Sequence, residues 1–303
     1  MSSTSFKQNT APVIPVITRF APSPTGLLHL GHAYSALTAY HLARDLNGDF
    51  LLRLENIDSS RCHPNYEQHI IRDLKWLGID WSDPPRRQSD HMADYRDALE
   101  VLRHRGLIYP CFCTRKEIQD EIRRAAHAPH GPEGYLYPGT CRTLSPAAQK
   151  QKIAEGYRPA WRLHMDEALA QVGTTLFWQD YEQGDIKAQP AIMGDVVLAR
   201  KETPTSYHLS CTVDDHQQNI THVVRGDDLF HAAHLHRLLQ HLLGLKTPLY
   251  YHHRLLLNEQ GKRYAKRDKG ITLQSLREKG HTPKDIQALI AAARKSPGND
   301  EYP

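Results

Sequence analysis

Val13-Ile14-Pro15-Val16-Ile17-Thr18-Arg19-Phe20, then Ala21-Pro22-Ser23-Pro24-Thr25-Gly26, then Leu27-Leu28-His29-Leu30-Gly31-His32, are three kinds of chain in succession. Residues 13–20 are apolar and largely β-branched, the composition of a short buried strand. The segment after them is rich in proline and ends on glycine, which breaks regular structure. Helical spacing begins at about Gly31 and is carried by Ala33, Leu37, Tyr40, Leu42 and Ala43. Asn47-Gly48 is a C-terminal stop for that helix. Phe50-Leu51-Leu52-Arg53-Leu54 reads as a second strand. A strand, a loop, a helix and a strand in this order open the parallel sheet of an α/β protein.

His29, Gly31 and His32 stand where that helix starts. A helix start has unpaired backbone N–H groups and the positive end of the helix dipole, which together attract phosphate. Gly31 lets a nucleotide approach the backbone closely. The two histidines can donate to phosphate oxygens as charge builds at an α-phosphorus. A solvent-facing helix cap is the alternative for such a pair taken alone.

Read as one string, Arg19 to Gly26 resembles the signature of glutamyl-tRNA synthetases, which runs into the HIGH motif of class I synthetases. Arg53-Leu54-Glu55-Asn56-Ile57-Asp58 resembles that family's next block, Arg-x-Glu-Asp-x-Asp, with Asn56 where the family usually has Asp. The resemblance implies an α/β class I synthetase: a Rossmann-like catalytic domain, a zinc-binding insertion and a small helical C-terminal part, with no anticodon-binding domain. It implies ATP, accompanied by Mg²⁺, at His29, Gly31, His32, Arg263 and Lys266, with His29, His32 and Lys266 catalytic. The two basic residues lie in Asn258-Glu259-Gln260-Gly261-Lys262-Arg263-Tyr264-Ala265-Lys266-Arg267, which occupies the place of the mobile KMSKS-like loop. Lys266 matches the second lysine, Arg263 replaces the first, and Ala265 replaces the serine. Positive charge is kept and a hydroxyl is lost.

Glutamate carries one ammonium and two carboxylates, so its receptor needs one anion and at least two cations or strong donors. The resemblance supplies Arg19 and Ser23 on the first loop, Glu55 for the ammonium, and Tyr207 and Arg225 further on. Arg19 is expected to reach a carboxylate, and Arg225 to pair with the side-chain carboxylate. Val213-Asp214-Asp215-His216 resembles the family's Val-Asp-Asp-His block. A structural ion pair is the alternative for each arginine alone.

Outward from this start, helices are expected near 64–77, 90–105, 227–243, 271–279 and 283–294. Residues 157–213 look strand-rich, with 157–164, 175–178 and 196–199 as candidates, and 222–224 is another short strand. The expected division is 13–110 for the first half of the catalytic domain, 111–190 for the zinc-bearing insertion and connecting strands, 191–257 for the second half, and 258–303 for the basic loop and C-terminal helices.

The chain has five cysteines, at 62, 111, 113, 141 and 211. An odd number, with three in one region and no signal peptide, suits a metal site better than a disulfide framework. Zinc takes four ligands, and Cys111, Cys113 and Cys141 are one short. The resembling family has a Cys-x-Cys…Tyr-x-x-x-Cys site here, which implies Tyr137 as the fourth and one structural zinc. His130 or a water is the alternative fourth ligand, and three free thiols are the alternative to a metal site.

The 303 residues are 40% hydrophobic and 24% charged, with a net charge of +4. This composition is that of a globular protein, and the mild basicity permits nucleic-acid binding without demanding it. No apolar stretch approaches the ~20 residues of a membrane span, and the start lacks an apolar signal core, so a cytoplasmic protein is expected. A full glutamyl-tRNA synthetase continues into an α-helical anticodon-binding region, which these residues do not supply. The shorter form with a zinc insertion is similar to the glutamyl-Q tRNA(Asp) synthetase family. That similarity implies tRNA-independent activation of L-glutamate with ATP, then transfer to queuosine at the wobble position of tRNA(Asp). The alternatives are a truncated synthetase charging tRNA(Glu), a nucleotidylyltransferase, or a non-catalytic paralogue that binds tRNA or glutamate.

Overall fold

The computed structural model describes residues 15–124, 130–132, 134–257 and 272–294. Strand β1 is Ile17–Phe20, helix α1 Leu30–Asp45 and strand β2 Asp49–Leu54. β1 begins just past Pro15, which has no amide hydrogen to give a ladder. β1 and β2 run parallel, with Ile17 opposite Asp49 and Phe20 opposite Leu52, so α1 is their crossover. At its end Asn47 takes a left-handed conformation, and the Gly48 amide donates to Ala43 O at 2.7 Å. A Cβ on Gly48 would stand 2.2 Å from Val16 O, so the return into β2 requires glycine.

Helix α2, Pro64–Trp76, leads to the short strand β3, Arg86–Arg87, which lies parallel to β2. Helix α3, Met92–His104, is followed by β4, Ile108–Cys111, where the chain leaves the parallel sheet. Helix α4 (Arg115–Arg124), the pair β5 (His130–Gly131) and β6 (Gly134–Tyr135), and helix α5 (Pro146–Ala154) come next. Strand β7 (Ala160–Leu163) returns antiparallel to β4. Helix α6 (Met165–Val172), the hairpin β8 (Phe177–Asp180) and β9 (Gly184–Lys187), and β10 (Val197–Ala199) follow. β10 completes a second sheet in the order β10-β7-β4.

Helix α7 (Tyr207–Gln217), strand β11 (His222–Gly226), helix α8 (Ala232–Leu243) and strand β12 (Leu249–His253) restore the parallel pattern. They form a sheet ordered β11-β12-β8-β9, in which only β9 is antiparallel to its neighbour. Its start is tied to that of β1, since Ile17 N donates to Thr221 Oγ1 at 2.7 Å and Thr221 N to Ile17 O at 3.0 Å. Helices α9 (Leu273–Glu278) and α10 (Pro283–Arg294) come back to the first loop, where Leu273 N donates to Leu28 O at 2.8 Å. One core packs α1, α2, α9 and α10 on β1 and β2, through Phe20, Leu37, Leu52, Leu74 and Ile286. A second joins α3, α6, α7 and α8, through Tyr95, Met165, Leu209 and Leu238.

The stretch 157–213 differs from its strand-rich expectation by containing α6 and α7. α7 is buried from His208 to Asp215, so it has no solvent face and no apolar period to betray a helix. The helix expected from 227 begins at Ala232, after a short 3₁₀ turn at Asp227–Leu229. Among the described residues no helix is long and apolar enough to cross a membrane.

Candidate active site

The C-terminal ends of β1, β2, β11 and β12 carry Arg19, Arg53, Arg225 and His252, the edge where ligands enter parallel α/β sheets. Above β1, His29 is the N-cap of α1. Its Nδ1 accepts the Gly31 amide at 3.1 Å, and His32 Nδ1 accepts the His29 amide at 3.2 Å. With Nδ1 accepting, a neutral ring carries its proton on Nε2. The two rings lie 3.8 Å apart, centroid to centroid. A Cβ on Gly31 would come 3.1 Å from His29 Cε1, so glycine keeps this cap open. Ser23 is exposed on the same loop. Arg263, Ala265 and Lys266 lie outside the described residues.

Below the loop is a buried ionic centre. Asp215 accepts Arg19 Nε at 2.9 Å and Arg53 Nη1 at 2.8 Å. Arg19 Nη1 also reaches Val224 O at 3.1 Å, so this guanidinium is fixed before any ligand arrives. Arg53 Nη2 meets Glu55 Oε1 at 3.3 Å. Burial by itself would raise the Asp215 carboxyl, but Arg19 and Arg53 hold it down at about 2. Burial pushes the Glu55 carboxyl up, against the pull of Arg53 and Arg19. Burial also pushes the Cys211 thiol up to about 12, making it an inert core thiol. Asp214, next to Asp215, accepts Gln88 Nε2 and Arg86 Nε, each at 2.8 Å, and the Tyr95 hydroxyl at 2.9 Å. The acidic pair on α7 thus locks β1, β2 and α3 together, a role the sequence reading did not give it.

Asn56 is explained by its neighbours. Its Nδ2 donates to Glu67 Oε1 and to Ser89 Oγ, each at 3.0 Å, and its Oδ1 accepts the Ser89 amide at 2.9 Å. An aspartate could accept the amide but would face Glu67 with a like charge.

Tyr207 opens α7. Burial pushes its hydroxyl well up, so it stays protonated. Its ring lies 5.7 Å from that of His236, which faces Arg225 Nη1 at 3.3 Å. Arg225 Nε donates to His252 Nε2 at 3.1 Å and Nη1 to His236 Nδ1 at 3.3 Å. Its guanidinium lies over the Tyr250 ring, 5.0 Å from the centroid. Its Nη2 is buried without a hydrogen-bond partner among the described residues. A cavity of about 370 Å³ adjoins Tyr207 and is also lined by Tyr137, Arg162, Ser206 and His208. His236, His252 and Asp180 escaped the sequence reading. The alternation on β12, which puts Tyr250 and His252 on one face, was the available signal.

At the end of β4, the Cys111, Cys113 and Cys141 Sγ atoms lie within 4.8 Å of one another. The Tyr137 hydroxyl is 3.4 Å from both Cys111 and Cys113 Sγ. A tetrahedral zinc with ~2.3 Å bonds to sulfur needs ligands roughly 3.8 Å apart, so this donor set fits a zinc-sized ion. The His130 ring instead lies against Tyr135, with centroids 4.0 Å apart.

A model of the family described as tRNA synthetases class I (E and Q), catalytic domain, matches residues 15–297. The class that fold and site define is thus the class I synthetase catalytic domain. The Glutamyl-Q tRNA(Asp) synthetase of Rhodobacter capsulatus is 47% identical over 279 residues, covering 91% of this chain and 99% of that protein. The chain belongs to the glutamyl-Q tRNA(Asp) synthetase family of class I synthetases. The Glutamate–tRNA ligase of Aquifex aeolicus is 38% identical over 282 residues, covering 93% of this chain and 58% of that protein. A crystal structure of a glutamate tRNA ligase from Elizabethkingia meningosepticum with its amino acid superposes with a TM-score of 0.75 at 28% identity, over 92% of this chain and 60% of that one. The chain spans about three-fifths of these two ligases.

Proposed function

We propose that the protein activates L-glutamate with ATP, without tRNA, and transfers the glutamyl group to queuosine at the wobble position of tRNA(Asp). The observation that carries the amino-acid half is Arg225. It is a buried guanidinium with one terminal nitrogen unpaired and no carboxylate within ion-pair distance among the described residues. Such a group is completed by a carboxylate ligand. In this reading Arg225 takes the side-chain carboxylate, Glu55 the ammonium, and Tyr207, Ser23 and Arg19 frame the rest. Arg19 Nε is already held by Asp215 and Nη1 by Val224 O, so Arg19 would meet a carboxylate only through the second N–H of a terminal nitrogen.

An α-carboxylate oxygen then attacks the α-phosphorus of ATP. The bond between the α-phosphorus and the bridging oxygen breaks, and pyrophosphate leaves. His29 and His32 donate Nε2–H to phosphate oxygens at the helix start, and Arg263 and Lys266 neutralise the leaving phosphates. Mg²⁺, when bound with ATP, spreads the phosphate charge. The acceptor hydroxyl of the queuosine diol attacks the acyl carbon in the second step, and AMP leaves. One zinc on Cys111, Cys113, Cys141 and Tyr137 serves a structural role, and the substrates ATP and tRNA place the reaction in the cytoplasm.

The higher identity to the Rhodobacter capsulatus relative, 47% against 38% to the Aquifex aeolicus ligase, supports queuosine over tRNA(Glu) as acceptor. The test has two parts. Glutamate-dependent ATP–pyrophosphate exchange without tRNA is expected, and its absence would leave only a binding protein. Labelled glutamate is then expected on queuosine-containing tRNA(Asp). Robust labelling of tRNA(Glu) with queuosine-tRNA(Asp) left unlabelled would overturn the acceptor.

A further inference from the structure

Arg225 sits inside a chain of hydrogen bonds that continues on both sides. On one side His252 Nε2 accepts Arg225 Nε at 3.1 Å, while His252 Nδ1 faces Asp180 Oδ2 at 2.8 Å. On the other, His236 Nδ1 faces Arg225 Nη1 at 3.3 Å, and His236 Nε2 faces His208 Nδ1 at 3.2 Å. A guanidinium only donates, so its polarity fixes every other proton. His252 must be bare at Nε2 and carry its proton on Nδ1, where Asp180 accepts it. His236 must be bare at Nδ1 and carry its proton on Nε2, which donates to His208. Asp180 is itself anchored, its Oδ1 accepting the Glu182 amide at 3.0 Å and the Gln183 amide at 3.2 Å. All four partners, Asp180, His252, His236 and His208, are buried.

We propose that His252, oriented by Asp180, and His236 are positioning residues that set both the aim and the charge selectivity of Arg225 for the substrate's side-chain carboxylate. This rests on the reading that Arg225 receives that carboxylate. Two of the guanidinium's donors are consumed by acceptors on opposite sides, so the plane is fixed and Nη2 is left for the ligand. Both acceptors are neutral imidazoles rather than carboxylates. The positive charge of Arg225 is therefore held in place without being cancelled. A ligand carboxylate gains a full ion pair there, whereas an amide gains only hydrogen bonds and adds N–H groups facing a cation. Glutamate is thereby separated from glutamine by residues that need not touch either.

The geometry gives a test that a merely structural role would not mimic. A glutamine side chain places its carbonyl near the site of an imidazole Nε2, and an asparagine places its own near Nδ1. His252 faces Arg225 with Nε2, so His252→Gln should keep the acceptor and His252→Asn should lose it. His236 faces Arg225 with Nδ1, so the order should invert, with His236→Asn tolerated and His236→Gln impaired. The readout is pyrophosphate exchange on the whole protein, with the KM for glutamate and for ATP and the residual rate with glutamine measured for each variant. The impaired variants should raise the glutamate KM roughly 10- to 100-fold, the scale of one hydrogen bond to a charged group. The ATP KM should hold, which also shows that each variant has folded. Should a histidine variant fail to fold, Asp180→Asn carries the same test, because it loosens His252 without removing it. The same order at both positions, or an unchanged glutamate KM in all variants while Arg225→Ala raises it, overturns the positioning role alone. An unchanged glutamate KM in Arg225→Ala overturns the reading beneath it as well.

Discussion

Arg225 is costly to bury; His252, His236 and Tyr250 hold it, and an anion would complete its remaining nitrogen. Replacing it with alanine should lower glutamate-dependent pyrophosphate exchange by at least about 100-fold, the scale of a broken buried ion pair, with little change in the ATP KM. Exchange at the normal rate would remove Arg225 from the pocket. Asn56→Asp sets a carboxylate beside Glu67 and withdraws two donated hydrogen bonds. Urea unfolding is expected to show a loss of about 1 kcal/mol, and an unchanged midpoint would show that the Glu67 contact contributes nothing.

Two elements depend on a single feature each. The return from α1 into β2 depends on Gly48, because a Cβ would stand 2.2 Å from Val16 O. Gly48→Ala should destabilise the protein by roughly 1–3 kcal/mol, the usual result of forcing a methyl into filled space, measurable as a lower urea midpoint. Among the described residues, the segment from the end of β4 to α5 packs a small buried cluster of Tyr109, Cys111, Phe112 and Cys141. A small satellite core of this kind needs an additional constraint, and metal binding coupled to local folding supplies it. Protein purified without chelator should contain about one zinc, as four-ligand structural sites do. Cys141→Ala should lose it and speed hydrogen exchange in residues 111–142, leaving α1 and β2 protected. Zinc-free wild-type protein would end the assignment.

Across the whole molecule, burial has depressed several titratable groups at once. His252 is driven down to about 4, chiefly by burial, and His236, His234 and His253 are lowered by the same cause. Each stays neutral in the fold where the unfolded chain would take up a proton. Their contribution is complete above the ordinary histidine value of about 6.5 and is lost as pH falls toward 4. Asp215, held at about 2, adds a second loss below the ordinary aspartate range. Thermal stability should therefore fall as pH drops from about 6.5 to 4 and fall again below 3.8. His252→Gln should flatten the first limb. A melting temperature that rises on acidification through that window would contradict the buried-neutral assignment.

The α/β opening, the histidine-capped helix start and the cysteine cluster were all legible in the chain, because each is written in contiguous or closely spaced residues. Local rules of strand, turn and cap act over such distances. Arg19, Glu55, Tyr207 and Arg225 could be named through ordered motifs, yet nothing local shows which groups surround each of them. What holds Arg225 in place was not legible. Asp180, His252 and His236 come from β8, β12 and α8, and are joined only because β8 and β12 pair in parallel and α8 packs beside them. The two helices within 157–213 stayed hidden for a related reason. α7 is buried on nearly all sides, so its sequence carries no apolar period, and its form is set by the elements packed around it. Hydrophobic pattern is a local signal, whereas the neutrality of a histidine and the aim of a guanidinium depend on neighbours that only the packed sheet brings within hydrogen-bond distance.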